Sequence, residues 1–203
     1  MEPKPGDRLP LKGLDVVVVS SAGATIVKPI AGAGQATPGC PPSARPAQNA
    51  TENPRSTGVH VRYGRFRFVD LGDLSGKPLY DLFCPNNLLG PTDVYLVPHH
   101  GGADVSEPAY LAAVRPRVAI MNNGATKGGS REMFATLQNA TRLDVWQVDK
   151  SRTEGAQNFG DESIANLDDA TAHWLKISAN EDGSFRVTNG RTGASKDYTK
   201  SGS

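Results

Sequence analysis

The sequence predicts an α/β fold, and three observations carry that prediction. The middle of the chain alternates β-branched runs with helical segments, in the order strand, helix, strand, helix, strand. Antiparallel hairpins flank this alternation on both sides. Gly and Pro fall mainly between the runs, where they mark loops. At 203 residues the length suits a single domain.

The elements follow in order. Leu14 to Ser20 (LDVVVVS) is a β-branched run and reads as a buried strand. Residues 21–56 carry no periodicity and are dense in Gly, Pro, Ala and Ser. They read as a long loop of the same domain, so residues 1–56 are a strand plus this loop. A loop of this length is expected to line a site or to pack on a partner. From Thr57, Val59, Val61 and Tyr63 alternate with His60 and Arg62, and Phe66 and Phe68 alternate with Arg65 and Arg67. This predicts a hairpin with Gly64 in its turn and with His60 facing solvent. Lys77 to Phe83 reads as a short helix, and Asp93 to Val97 as an apolar strand. Ser106 reads as the cap of a helix reaching about Val114. Arg117 to Met121 is a further strand. Ser130 caps a helix through about Asn139, and Leu143 to Val148 is the next strand. Residues 149–170 read as loop. His173 to Ser178 and Ser184 to Thr188 form the second hairpin around Asn180-Glu181-Asp182-Gly183. The main body thus covers 57–190, and 191–203 reads as a flexible tail.

Composition excludes several classes. The net charge is +1, so no electrostatic footprint for duplex nucleic acid or an anionic membrane is visible. No apolar run approaches the ~18 residues of a membrane span. Met1 to Leu14 has no apolar core of a signal peptide, and the compartment is left open. Cys40 and Cys84 form neither a CxxC nor a disulfide framework, and the sequence leaves open whether they pair. Gly32-Ala33-Gly34 lacks the Lys-Ser/Thr of a phosphate loop. Ser20, Ser21 and Ser106 sit in no nucleophile elbow.

The informative feature is a pair of strand ends. Phe66 to Leu74 places Asp73 just past one strand, and Val94 to Pro98 delivers His99 and His100 just past another. Sites in open α/β sheets form outside the carboxyl ends of strands. A carboxylate and an imidazole brought there are the donor types that Zn²⁺ accepts. Taken singly, such an Asp is most often a turn residue, and such a His pair is most often satisfied or exposed.

The stretch from Asn53 to Gly124 resembles the second half of the metallo-β-lactamase-fold hydrolases found in ComEC/Rec2 competence proteins. The likeness begins at Asn53-Pro54-Arg55-Ser56. It continues through Leu71-Gly72-Asp73-Leu74, similar to the family's GD motif, and Pro98-His99-His100-Gly101-Gly102, similar to its HHGS motif. It ends in Ile120-Met121-Asn122-Asn123-Gly124. The resemblance implies a partial αββα sandwich, its C-terminal half, with a mixed sheet and flanking helices. It implies a hydrolase acting on phosphodiester-type substrates, with nucleic acid among them. It implies one or two zinc ions, with Asp73 the bridging carboxylate and His99 a ligand. His100, Asp70 and Lys127 are expected beside them, orienting a ligand or meeting substrate.

One departure is large. The family's HxHxDH signature, which supplies most of its ligands, is absent: the four histidines are His60, His99, His100 and His173. One carboxylate and one or two imidazoles fall short of the three protein ligands of a zinc site. The chain by itself is therefore expected to be inactive, with the remaining half supplied by another segment or polypeptide. An apolar sheet face left bare by that missing half would invite homodimerisation. The competing expectation is a non-catalytic α/β binding or interaction module.

Overall fold

A computed structural model describes residues 2–200. Twelve strands are described: β1 (Arg8–Leu9), β2 (Asp15–Ser21), β3 (Ala24–Thr25), β4 (Gly58–Tyr63), β5 (Phe66–Asp70) and β6 (Val94–Leu96) come first. Then follow β7 (Val118–Met121), β8 (Asp144–Asp149), β9 (Ile164–Asn166), β10 (Leu175–Ala179), β11 (Phe185–Asn189) and β12 (Ser195–Tyr198). The helices are α1 (Gly76–Phe83), α2 (Pro108–Val114) and α3 (Arg131–Asn139). The fold is α/β, with a mixed nine-stranded sheet ordered β1-β2-β4-β5-β6-β7-β8-β9 and β3 paired to β2. Pairing is antiparallel from β1 to β5 and parallel from β5 to β9.

The connections dictate the layers. From β5 to β8 the strands run in spatial order, with one helix in each crossover. Right-handed crossovers that all step the same way put every helix on one face. Leu79, Leu82 and Phe83 of α1, Ala109 and Val114 of α2, and Met133, Phe134 and Leu137 of α3 accordingly share one core. They meet Val69, Tyr95, Val97, Ala119, Met121 and Val145 from the sheet. Burial of each such large side chain contributes about 1.5–3 kcal/mol.

That topology leaves the opposite face without helices. Phe66, Val94, Val118, Ile120 and Trp146 point there, and the small sheet β10-β11-β12 covers them with Phe185, Val187 and Tyr198. Phe185 and Tyr198 stack at 4.5 Å, and Phe66 meets Phe185 edge-on at 5.4 Å. The bare apolar face expected for a homodimer is therefore not found here: the chain's own C-terminal strands occupy it. The segment from Gly190, expected as a loose tail, is corrected by the same packing. Ser195–Tyr198 pairs with Phe185–Thr188, and Tyr198 accepts a hydrogen bond from the Trp146 indole at 3.2 Å. Residues 201–203 lie outside the described residues.

His60 is a second correction. It is 3% exposed rather than on the surface, because β4 is an inner strand and the face that carries His60 is covered. It pairs across to Val17 and Val69, so its side chain joins theirs on the helix side. The long loop is tied down as well. Cys40 and Cys84 form a disulfide, joining the loop to the end of α1. No helix among the described residues is long and apolar enough to cross a membrane.

Candidate functional site

Four neighbouring strands end along one rim. β5 delivers Asp70 and Asp73, β6 delivers His99 and His100, β7 delivers Asn122 and Asn123, and β8 ends at Asp149. Because β5 to β8 are parallel, these residues gather at the same end of the sheet. Burial pushes the Asp149 carboxyl above its ordinary value.

The turn after β6 has an uncommon backbone. His99, His100 and Gly101 all have positive φ, at 46°, 54° and 78°. Each non-glycine residue held there costs on the order of 1 kcal/mol. Tertiary bonds hold the turn in that shape. His99 N–H donates to the Gly72 carbonyl at 2.9 Å, linking the two strand-end loops. Gly129 N–H donates to the His100 carbonyl at 2.9 Å. Only glycine fits at position 128, where a Cβ would lie 2.0 Å from that carbonyl oxygen.

The turn sends the two imidazoles to different partners. His99 is nearly buried, and its Nδ1 meets Asp104 Oδ1 at 2.9 Å. A carboxylate accepts, so Nδ1 carries the proton. Nε2 then accepts from the Asn53 amide at 2.9 Å. Asp104, itself 4% exposed, also accepts from Gln48 N–H at 3.0 Å. Both His99 nitrogens are thus satisfied within the chain.

His100 is less closed. Its Nδ1 lies 2.7 Å from the Asn122 carbonyl, which can only accept, so Nδ1 is the donor. Its Nε2 faces Asp73 Oδ1 at 3.2 Å. With Nδ1 committed, that contact is attractive only through a second proton or a cation between the two groups. Asp73 and His100 are both part-exposed, at 36% and 24%.

The sequence-predicted residues therefore divide. Asp73 and His100 come together, whereas His99 is turned to Asp104 and Asn53. Asp70 closes a tight turn by accepting from Gly72 N–H at 2.9 Å. The Lys127 segment folds over the His turn, its carbonyl accepting from Gly124 N–H at 2.9 Å. Sequence reading missed Asp104, the orienting role of Asn53, and the Asn122 carbonyl. Asp104 sits five residues after His99 in a loop, with no periodicity to flag it. A main-chain carbonyl leaves no trace in residue identity.

The donor set tests poorly as a closed zinc site. Among the described residues no group of three or more His, Cys, Asp or Glu side chains could hold a metal ion. Asp73 and His100 are two converging side chains of donor type, one fewer than the three protein ligands that a zinc site takes. Compared with protein-family models, curated proteins and solved structures, the chain matches none.

Proposed function

We propose that this chain contributes part of a metal-dependent hydrolase centre, of the metallo-β-lactamase kind found in the competence-protein hydrolases. On this reading the fold is the C-terminal half of an αββα sandwich, and the substrates are of phosphodiester type. The observation that supports it best is the Asp73–His100 convergence at neighbouring parallel strand ends, with His100 Nδ1 held by a main-chain carbonyl. Metal-binding histidines are commonly oriented in this way through their other nitrogen. Asp73 and His100 would face the ion, and His99, held by Asp104, would buttress the turn. His99 would ligate only after giving up Asn53. Two groups do not close a zinc site, so this chain by itself is read as inactive, with the remaining ligands from another segment or polypeptide.

Metal content after dialysis tests this reading. Zinc retained by the chain, lost in Asp73→Ala and His100→Ala but kept in His99→Asn, is the expected pattern once the missing ligands are supplied. Retention unchanged in all three variants would overturn it. A non-catalytic binding module is the second reading, favoured by the closed hydrogen-bond set around His99.

A further inference from the structure

At the opposite end of the sheet from Asp73, a cavity of about 540 Å³ opens on the helix-side face. Its size falls within the range of small-molecule sites. Val17 lies in its floor, and Ile26, Ile30 and Leu89 form apolar walls. The loop after β3 and the segment before β6 supply those walls. His60, Arg62 and Arg67 line its polar side.

The charges there include like-charged neighbours across the strands. Asp15, Arg62 and Arg67 lie in one row across β2, β4 and β5, since Asp15 pairs with Arg62 and Arg62 with Arg67. Like charges directly opposite on antiparallel strands are destabilising. The single carboxylate of the row is shared: Arg62 Nη2 meets Asp15 Oδ2 at 3.3 Å, and Arg8 pairs with the other oxygen. Arg8 and Lys28 also line the cavity, so four cations face one carboxylate. Behind them, His60 Nε2 is buried with no hydrogen-bond partner among the described residues. Burial and the charges of Arg67 and Arg62 hold His60 neutral, at a pKa of about 4.

We propose that this cavity binds a small organic anion, with its apolar body against Ile26, Ile30 and Leu89 and its anionic head between Arg62 and Arg67. A guanidinium fork matches a carboxylate or phosphate oxygen pair, and a bridging anion turns the Arg62–Arg67 repulsion into two attractions. The apolar walls select a ligand with a hydrocarbon part over a bare inorganic ion. This site is independent of the Asp73–His100 pair and stands or falls without it.

The test is calorimetric titration of the intact chain with octanoate, octyl phosphate, octanamide and inorganic phosphate. Octanoate or octyl phosphate is expected to bind saturably, and the tighter of the two names the head group. Octanamide, the uncharged isostere, and inorganic phosphate, which lacks the chain, are each expected to bind at least about tenfold more weakly. Arg67→Gln and Arg62→Gln are each expected to weaken binding about tenfold or more, and both side chains are exposed enough for the fold to persist. Arg152→Gln, an exposed arginine outside the cavity, is expected to change nothing. Equal binding of octanoate and octanamide, equal binding of inorganic phosphate, or affinities unchanged in Arg67→Gln and Arg62→Gln would each overturn the proposal. So would the lack of saturable binding by both alkyl anions.

Discussion

His60 shows at the residue scale how one buried group sets a pH response. It packs on the helix side between Val17 and Val69, 3% exposed. The charged groups near it are Arg62 on its own strand, Arg67 on β5, and Arg8, Lys28 and Asp15 across the cavity. Desolvation first, then Arg67 and Arg62, lower its pKa from the ordinary 6.5 to about 4. Between these values the unfolded chain binds the extra proton and the folded chain does not. The stability contributed by neutral His60 is thus complete above pH 6.5 and is lost as the pH falls toward 4. The shift corresponds to a loss on the order of 3 kcal/mol. Unfolding free energies from urea titrations are expected to fall between pH 7 and pH 4.5, and in His60→Gln the fall should be smaller by about 2 kcal/mol, the part of the loss completed by pH 4.5. An equal fall in the variant would assign the acid response to other groups. Residue-level reading of the sequence placed Asp73 and both histidines just past strand ends, where the structure has them, because strand-end position is written in local pattern. It misplaced His60 because alternation separates the two faces of a strand but does not say which of them the rest of the chain covers.

Elements were legible where the cause of the element is local. Ser130 was expected to cap a helix, and its Oγ accepts from Met133 N–H at 3.1 Å at the head of α3. The first turn carries Glu132, which suits the positive end of the helix. Ser130→Ala is expected to cost about 1 kcal/mol, read as a lower thermal midpoint. Because Ser130 N–H also donates to the Gly101 carbonyl through the main chain, the substitution should leave that tie to the His turn intact. A loss well above about 2 kcal/mol would mean that the side chain supports more than the helix start. The Ser106 reading was off by one residue: α2 begins after Glu107, and Ser106 Oγ instead donates to the Ala103 carbonyl at 2.8 Å. The strands β1, β3, β9 and β12 were not legible. They are two to four residues long and take their conformation from a neighbour rather than from their own alternation.

At the scale of the whole molecule, the least readable segment proves to be tied to the rest of the chain at many points. Residues 21–56 have no period, so nothing local predicts their path. Their path is set by partners far along the chain. Ile30 N–H donates to the Leu88 carbonyl, Gly34 N–H to the Asn87 carbonyl, and Thr37 Oγ1 to the Phe83 carbonyl. Arg45 reaches Glu107 and the Ala103 carbonyl, Gln48 N–H reaches Asp104, and Asn53 reaches His99. The Cys40–Cys84 disulfide fastens the centre of this path across a separation of 44 residues. It thereby ties this loop, which walls the basic cavity at one end and reaches His99 at the other, to the end of α1. Closing a loop of that size lowers the entropy of the unfolded chain, which stabilises the fold by about 2–4 kcal/mol. The double substitution Cys40→Ser with Cys84→Ser is expected to lose that amount, measured as a lower urea midpoint with a steeper slope, because the unfolded chain without the cross-link exposes more surface. Amide hydrogen exchange should rise at residues 40–53 before it rises in β5 to β8, since the sheet core does not depend on the link. Exchange rising equally in both places would mean that the loop and the sheet open as one unit. In that case the Asn53–His99–Asp104 chain, rather than the disulfide, would be what couples the loop to the rim.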